Sequence, residues 1–315
     1  MLNTEAIYRT ARKRCMDEMQ PYFDASKFEK NISIYLDDVK QRYESEKFAV
    51  HYQSICSLKG AVAADYNTKL IPLHENEFAL CSLRFFSLRP DEPFVMVEFS
   101  TIELNQENIL HVLHRAKECF GHLPVSRYHF TTHKNVLHSR ELSLLPDKIL
   151  VKGVISADRV AKFDNADVEL LLMNVISDEQ YRIYEQELEL FLKGHPALRG
   201  MLNLEKRGYL DLLGAAGFLF EIKVKGIYAG MMAVDEGFEY SCYGLSIIEE
   251  FLFEEHHGKS YGKVIQSKLI DHLMTTGWAG TYLFGSIAAV NLPSLRTAAA
   301  NLRKPFLYSY FVEMD

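Results

Sequence analysis

From His257 to Gly262 the chain reads His-Gly-Lys-Ser-Tyr-Gly, directly ahead of an amphipathic stretch that runs to Leu273. Two glycines bracketing Lys259, Ser260 and Tyr261 let the backbone turn tightly and leave its N–H groups unobstructed. At a helix start those groups, with the macrodipole behind them, attract an anion. The turn therefore suits the pyrophosphate of a nucleotide-like cofactor. Spacing excludes two better-known versions of such a turn. A Walker A loop requires glycine at position 253, which is Phe253, and the dinucleotide fingerprint requires a Gly-x-Gly-x-x-Gly run that these glycines, four apart, do not form. Just upstream, Glu249 and Glu250 are adjacent on a strand-like run and so face opposite ways if that strand is regular. Only one of them can face a cleft. Glu250 is favoured as a proton-handling group because Leu252, from which the turn is counted, shares its face. Glu254 and Glu255, nearer the turn, read as solvent-facing, since unpaired acids are rarely buried.

The elements that must position these residues follow one another in a regular order. Val168–Val175 is an apolar run with a single charge, and Ser177-Asp178-Glu179-Gln180 is a capping box opening a helix to Leu192. A second helix is expected over Leu202–Leu213. Phe218, Phe220, Ile222 and Val224 alternate with other residues before Lys225-Gly226 turns the chain into Ile227–Val234, a hairpin pattern. After the glycine turn and its helix come a strand over Thr281–Val290, a helix opening at Asn291-Leu292-Pro293-Ser294, and an aromatic strand over Phe306–Val312.

Together these residues resemble the GNAT superfamily of acyl-CoA-dependent N-acyltransferases, whose central motif carries strand four through Arg/Gln-x-x-Gly-x-Gly/Ala into helix three. Gly258, Lys259 and Gly262 match, while His257 stands for the usual Arg or Gln and Ser260 for the middle glycine. Gly230 and the Asn291-x-x-Ser294 pattern also look like members of the family, and the likeness spans Asp167–Asp315. The resemblance implies a mixed α/β fold with a mostly antiparallel central sheet flanked by helices, and acetyl-CoA or another acyl-CoA as donor. It implies that the backbone at Phe251, Leu252 and Phe253 contacts the cofactor arm, that His257, Gly258, Lys259, Ser260, Tyr261 and Gly262 hold pyrophosphate, and that Asn291 and Ser294 lie near the arm. The reaction it implies is transfer of an acetyl group to a small-molecule or peptide amine, with Glu250 or Glu249 handling the proton. Family members often carry a tyrosine acid in the helix after Asn291, where this chain has Ala298, Ala299 and Ala300. Tyr308 and Tyr310 on the last strand are the alternatives, ahead of Cys242 and Tyr243. The departures at His257 and Ser260 motivate a second reading, an acyl-CoA-binding module without turnover.

Composition narrows the class further. At 48% hydrophobic and 24% charged over 315 residues, with no apolar run long enough to span a bilayer, the chain is expected to be soluble and cytoplasmic. The opening residues lack the apolar centre of a secretory signal. A formal charge of −7 without a basic stripe argues against nucleic acid as partner. Cys15, Cys56, Cys81, Cys119 and Cys242 are unclustered, against a disulfide framework or thiolate metal site. His111, His114, His129, His133 and His138 do not impose the convergence of a metal site, and no metal is expected.

The N-terminal half, residues 1–152, is expected to form its own α/β domain ahead of the acyl-CoA domain at 166–315. Helices over Thr4–Tyr22 and Ser26–Val50 precede strands at Lys69–Leu73, Phe78–Phe86 and Phe94–Ile102, a helix over Asn105–Phe120 and a strand at Tyr128–Thr132. That order echoes the second half, as a degenerate copy would. The glycine turn has no counterpart there, so the half is assigned to shaping the acceptor pocket rather than holding phosphate. Lys152–Asn165 is the expected linker.

Overall fold

A computed structural model describes residues 3–19, 25–86, 89–105, 107–133, 135–136, 143–157, 163–239 and 242–314. The fold is mixed α/β, as the pattern predicts, and the chain divides into two compact units: Met1–Asp147 with Leu307–Asp315, and Lys148–Phe306.

In the first unit, helices α1 (Thr4–Met19), α2 (Ala25–Glu44) and α3 (Glu46–Ile55) precede strands β1 (Lys69–His74), β2 (Glu77–Phe85) and β3 (Pro93–Ser100). Helix α4 (Asn108–Phe120) then leads to β4 (Arg127–Thr132). The expected helix over Ser26–Val50 is two helices, because the Ser45 hydroxyl accepts the Phe48 amide at 3.1 Å and restarts the helix. Residues 20–22 of the first expected helix, and His138, lie outside the described residues. Strands β1, β2 and β3 pair antiparallel, and β3 pairs parallel with β4 through α4. The apolar face of α4 (Ile109, Val112, Leu113, Ala116, Phe120) closes the core over Cys81, Leu83, Val95, Val97, Tyr128 and Phe130.

In the second unit, β5 (Leu144–Val154) is followed by β6 (Val168–Met173), α5 (Asp178–Gly194), α6 (Arg207–Ala215), β7 (Leu219–Val224) and β8 (Ile227–Glu239). Then come β9 (Cys242–Leu252), α7 (Tyr261–Thr275), β10 (Tyr282–Ala288), α8 (Leu292–Ala300) and the first residues of β11 (Lys304–Glu313), which from Leu307 on belongs to the first unit. The Ser177–Gln180 capping box forms, with Ser177 Oγ accepting the Gln180 amide at 3.2 Å and Gln180 Oε1 accepting the Ser177 amide at 3.1 Å. Lys225 and Gly226 both take positive φ (53° and 77°), the geometry a two-residue hairpin turn requires. The sheet order is β5-β10-β9-β8-β7-β6, antiparallel except for β9 and β10, which run parallel across α7. One face packs on α7 through Met232, Val234, Leu245, Val264, Ile265 and Leu269, the other on α5 and α6 through Tyr184, Leu188, Leu210, Leu213, Met231, Ala233 and Phe251.

Two strands sit outside the unit their place in the sequence suggests. β5 follows the first unit's strands, yet its residues 148–154 pair with β10 of the second. β11 follows β10, yet its residues 308–313 pair with β4 of the first. Lys152, Gly153 and Val154, expected to begin a linker, are therefore sheet.

Candidate functional site

The parallel pairing of β9 with β10 runs from Gly244–Tyr282 to Ile247–Gly285 and stops there. Beyond that point β9 continues beside β8 to Leu252, while β10 continues beside β5 to Ala288. The two strands part, leaving a fork whose edge carries backbone groups that no neighbouring strand pairs among the described residues. Phe253 donates its N–H to the Ala229 carbonyl at 2.9 Å, so Leu252 points its amide and carbonyl to the opposite edge, into the fork. The Leu252 carbonyl accepts the His257 imidazole at 2.6 Å, which puts the proton on Nε2 and ties the loop back to the strand. The side chains of Phe251 and Phe253 are buried core. Of the three residues the resemblance assigns to the cofactor arm, Leu252 alone turns an amide toward the fork.

A bulge decides where the carboxylates go. Val234 pairs with Ile247 and Ala233 with Glu249, so Ile248 is an extra residue on β9. Without it Glu249 would share the α7 face with Leu245 and Ile247. With it, Glu249 joins Phe251 and Phe253 on the α5 and α6 face, and Glu250 joins Leu252 on the α7 face. Glu249 Oε2 accepts the Tyr184 hydroxyl from α5 at 2.5 Å. Burial pushes its carboxyl up to about 7; the Tyr184 hydrogen bond opposes the rise and the nearby Glu205 charge adds to it. Glu205 itself is raised by burial.

Glu250, the carboxylate favoured by sequence, is occupied on the other face. Its carboxylate accepts the Gln266 side-chain amide from α7, and its partner in charge is Arg303, 2% exposed at the start of β11. Burial pulls Arg303 down to about 10, with Glu250 resisting the fall, and raises Glu250 against the opposing charge of Arg303. Two glycines make the room Arg303 takes: a Cβ at Gly285 would lie 2.5 Å from its Nη1, and one at Gly153 3.0 Å from its Cγ. Nη1 donates to the Phe284 carbonyl at 3.3 Å.

The turn that opens α7 has the geometry its glycines suggest and one they do not. Gly258 (φ 74°) and Ser260 (φ 61°) both take the left-handed conformation, and Ser260 caps no first-turn amide with its side chain. Lys259 and Ser260 are exposed, Tyr261 and Lys263 half-buried, and Glu254 and Glu255 face solvent. Gly262 serves a different purpose. A Cβ there would meet Glu250 Oε1 and Thr297 Cγ2 at 3.4 Å, contact distance without overlap, so a methyl fits and a larger side chain would press on β9 and α8 rather than fill space outside the loop. At α8, Asn291 Oδ1 accepts the Ser294 amide at 3.3 Å, an N-cap.

The helix of the first unit in the corresponding connection, α4, differs at this point. Asn105 Oδ1 accepts the amides of Glu107 and Asn108 at 3.0 and 3.1 Å, so a side chain already fills the place an anion would take.

The tyrosines expected as acids lie in the first unit. Tyr308 packs against its core, and the Tyr310 hydroxyl donates to Asn135 Oδ1 at 3.0 Å while accepting the Val136 amide. The Tyr243 hydroxyl donates to Glu236, and the Cys242 side chain lies outside the described residues. Among the described residues no three His, Cys, Asp or Glu side chains converge on a metal position. Sequence reasoning missed Tyr184, Glu205 and Arg303. Tyr184 carried a signal: it sits at core spacing between Tyr181 and Leu188, and a buried tyrosine needs a partner for its hydroxyl.

No family model matches the chain, and no curated protein matches it in sequence. Solved structures do resemble it. An acetyltransferase of the GNAT family from Colwellia psychrerythraea is 12% identical, with 76% of this chain and 81% of that one covered, at a TM-score of 0.48. A GCN5-related N-acetyltransferase from Sphaerobacter thermophilus is 9% identical over 87% and 93%, at 0.47. A tandem GNAT protein from the clavulanic acid biosynthesis pathway is 13% identical over 86% and 95%, at 0.46. No helix among the described residues is long and apolar enough to cross a membrane.

Proposed function

We propose that the second unit is an acyl-CoA-dependent N-acyltransferase that moves an acetyl group to an amine, with a small molecule or peptide as acceptor. The observation that carries this reading is the fork. A parallel strand pair separates beyond Ile247 and Gly285, a carboxylate raised to about 7 stands on the strand just past the opening, and the same strand runs on into a left-handed turn at a helix start without a side-chain cap.

The residues present fit an acyl-CoA. The uncapped first turn of α7 and the lysines Lys259 and Lys263 suit pyrophosphate, and the Leu252 N–H would donate a hydrogen bond to a carbonyl of the cofactor arm or to the thioester oxygen. When bound, the thioester supplies an activated acyl carbon. The chain's own task is then to free the amine. Glu249 in its ionised form takes a proton from the acceptor ammonium, and the nitrogen lone pair attacks the acyl carbon. As the C–N bond forms the C–S bond breaks, and the departing thiolate takes the second proton from nitrogen. A carboxyl near 7 is suited to this, because it is substantially ionised at neutral pH and still basic enough to accept the proton. Glu250, held by Gln266 and under the opposite charge of Arg303, is engaged with α7.

Calorimetry with CoA and thiol release from acetyl-CoA in the presence of mixed primary amines test the reading. Binding with turnover is the expected result. Binding without thiol release leaves the second reading, a CoA-binding module, which the imidazole on the Leu252 carbonyl and the non-glycine residue at the left-handed position favour. Absence of CoA binding would sink both.

A further inference from the structure

Tyr184 is fully buried, and its ring is wedged edge-on between Tyr181 (6.1 Å between centroids) and Phe251 (5.5 Å). Its hydroxyl accepts the backbone N–H of Glu205 at 3.2 Å and donates to Glu249 Oε2 at 2.5 Å. Because an amide can only donate, the Glu205 N–H occupies a lone pair of the phenol and leaves the phenolic proton one acceptor, the carboxylate. The segment that carries Glu205 is fixed in turn, since the Tyr181 hydroxyl donates to the Glu205 carbonyl at 3.0 Å. One turn of α5 thus clamps the segment leading into α6 through Tyr181 and Tyr184, and holds a carboxylate on β9 directly through Tyr184.

We propose that Tyr184 is a positioning residue for Glu249: the amide-to-phenol-to-carboxylate chain holds Oε2 in place and leaves the carboxylate turned for proton transfer with the acceptor amine. This rests on the acyltransferase reading of the same site. Tyr184 is fully buried and gives its hydroxyl proton to Glu249, which separates its role from an acid's. Three groups around Glu249 titrate or carry charge: Tyr184 on α5, Glu205 ahead of α6, and Glu250 on the same strand. The phenol stabilises the charged carboxylate, so its loss makes Glu249 harder to ionise.

The test compares the full chain with Tyr184→Phe and Tyr181→Phe, using acetyl-CoA and a panel of primary amines. Tyr184→Phe is expected to bind CoA as tightly as the parent, to keep the KM for amine within about twofold, and to lose roughly tenfold in kcat, the range a single positioned hydrogen bond supplies. The acid limb of its pH–rate profile should move up by about one unit. Tyr181→Phe, which loosens the same segment without touching Glu249, should leave that limb in place. A limb that stays put in Tyr184→Phe, or moves equally in both variants, overturns the proposal. Titration of a chain carrying 13C-labelled glutamate, with the Glu249 resonance assigned through Glu249→Gln, reads the same carboxyl without turnover. If CoA does not bind, the acyltransferase reading fails, while an upward shift of that resonance in Tyr184→Phe still supports the hydrogen-bond chain and an unmoved resonance removes it.

Discussion

Glu249 and Glu250 are neighbours in sequence, yet they meet different chemistry because one bulge residue, Ile248, turns them to particular faces of the sheet. The two predict different things. A carboxyl raised from its ordinary value near 4.3 to about 7 is favourable to folding while protonated, below its unfolded pKa, and that advantage is lost as pH rises through 7. Glu249→Gln should therefore raise the melting temperature more at pH 8 than at pH 5, measured by circular dichroism. The same variant should lower kcat by roughly 10²- to 10⁴-fold, the usual weight of general base catalysis. Arg303→Met should be costly for another reason, since it removes the opposite charge acting on half-buried Glu250. About 3–5 kcal/mol in urea unfolding is expected, with part of it recovered when Glu250→Gln is added. That two carboxylates flank the fork was legible from their adjacency. Which one faces which helix was not, because a bulge is a single unpaired residue with no composition of its own, and Ile248 lies in an unbroken apolar pair with Ile247.

Elements were the most legible scale. Capping box, hairpin turn and the strand-turn-helix at Gly258 all stand where their residues put them, because each is set by local hydrogen bonds or by φ at one or two positions. Strand β5 was missed at Leu144–Val154: Pro146, Asp147 and Lys148 interrupt its apolar run, and its pairing partner β10 lies more than a hundred residues away. Glycines separate the two kinds of constraint. Gly230 takes φ 149°, and a Cβ there would stand 2.0 Å from the Phe251 carbonyl oxygen, where β8 meets β9. Gly258 has open space around its Cβ position and is constrained by φ alone. Gly230→Ala should cost about 3 kcal/mol or more through the forced separation of the strands, and Gly258→Ala about 1 kcal/mol. Chemical unfolding of both variants checks the order. Gly262→Val should weaken CoA binding by pushing α7 away from Thr297 rather than by blocking the loop, so a melting temperature lower than the parent's is expected alongside the higher dissociation constant.

At the scale of the whole molecule, the two units share a construction: an antiparallel pair whose second strand leads through a helix into a parallel strand, seen as β2-β3-α4-β4 and as β8-β9-α7-β10. The two helix starts differ in one respect: Asn105 Oδ1 takes the first amides ahead of α4, whereas Ser260 makes no side-chain cap at α7. A chain stopped after residue 303 should lose the first unit preferentially, although the cut lies at the far end of the sequence. It removes Tyr310 and Val312 from the core that holds Tyr128 and Phe130. Hydrogen exchange resolved by peptide would report this as fast exchange over 69–132, and protection equal to that of the full chain would refute it. The crossing of β5 and β11 also constrains how the protein is made. Domains tend to fold as they leave the ribosome, the earlier one first. Here β4 gains β11 as its neighbour only once residues 308–313 have been translated, so a nascent chain carries β4 without that neighbour through the synthesis of the entire second unit.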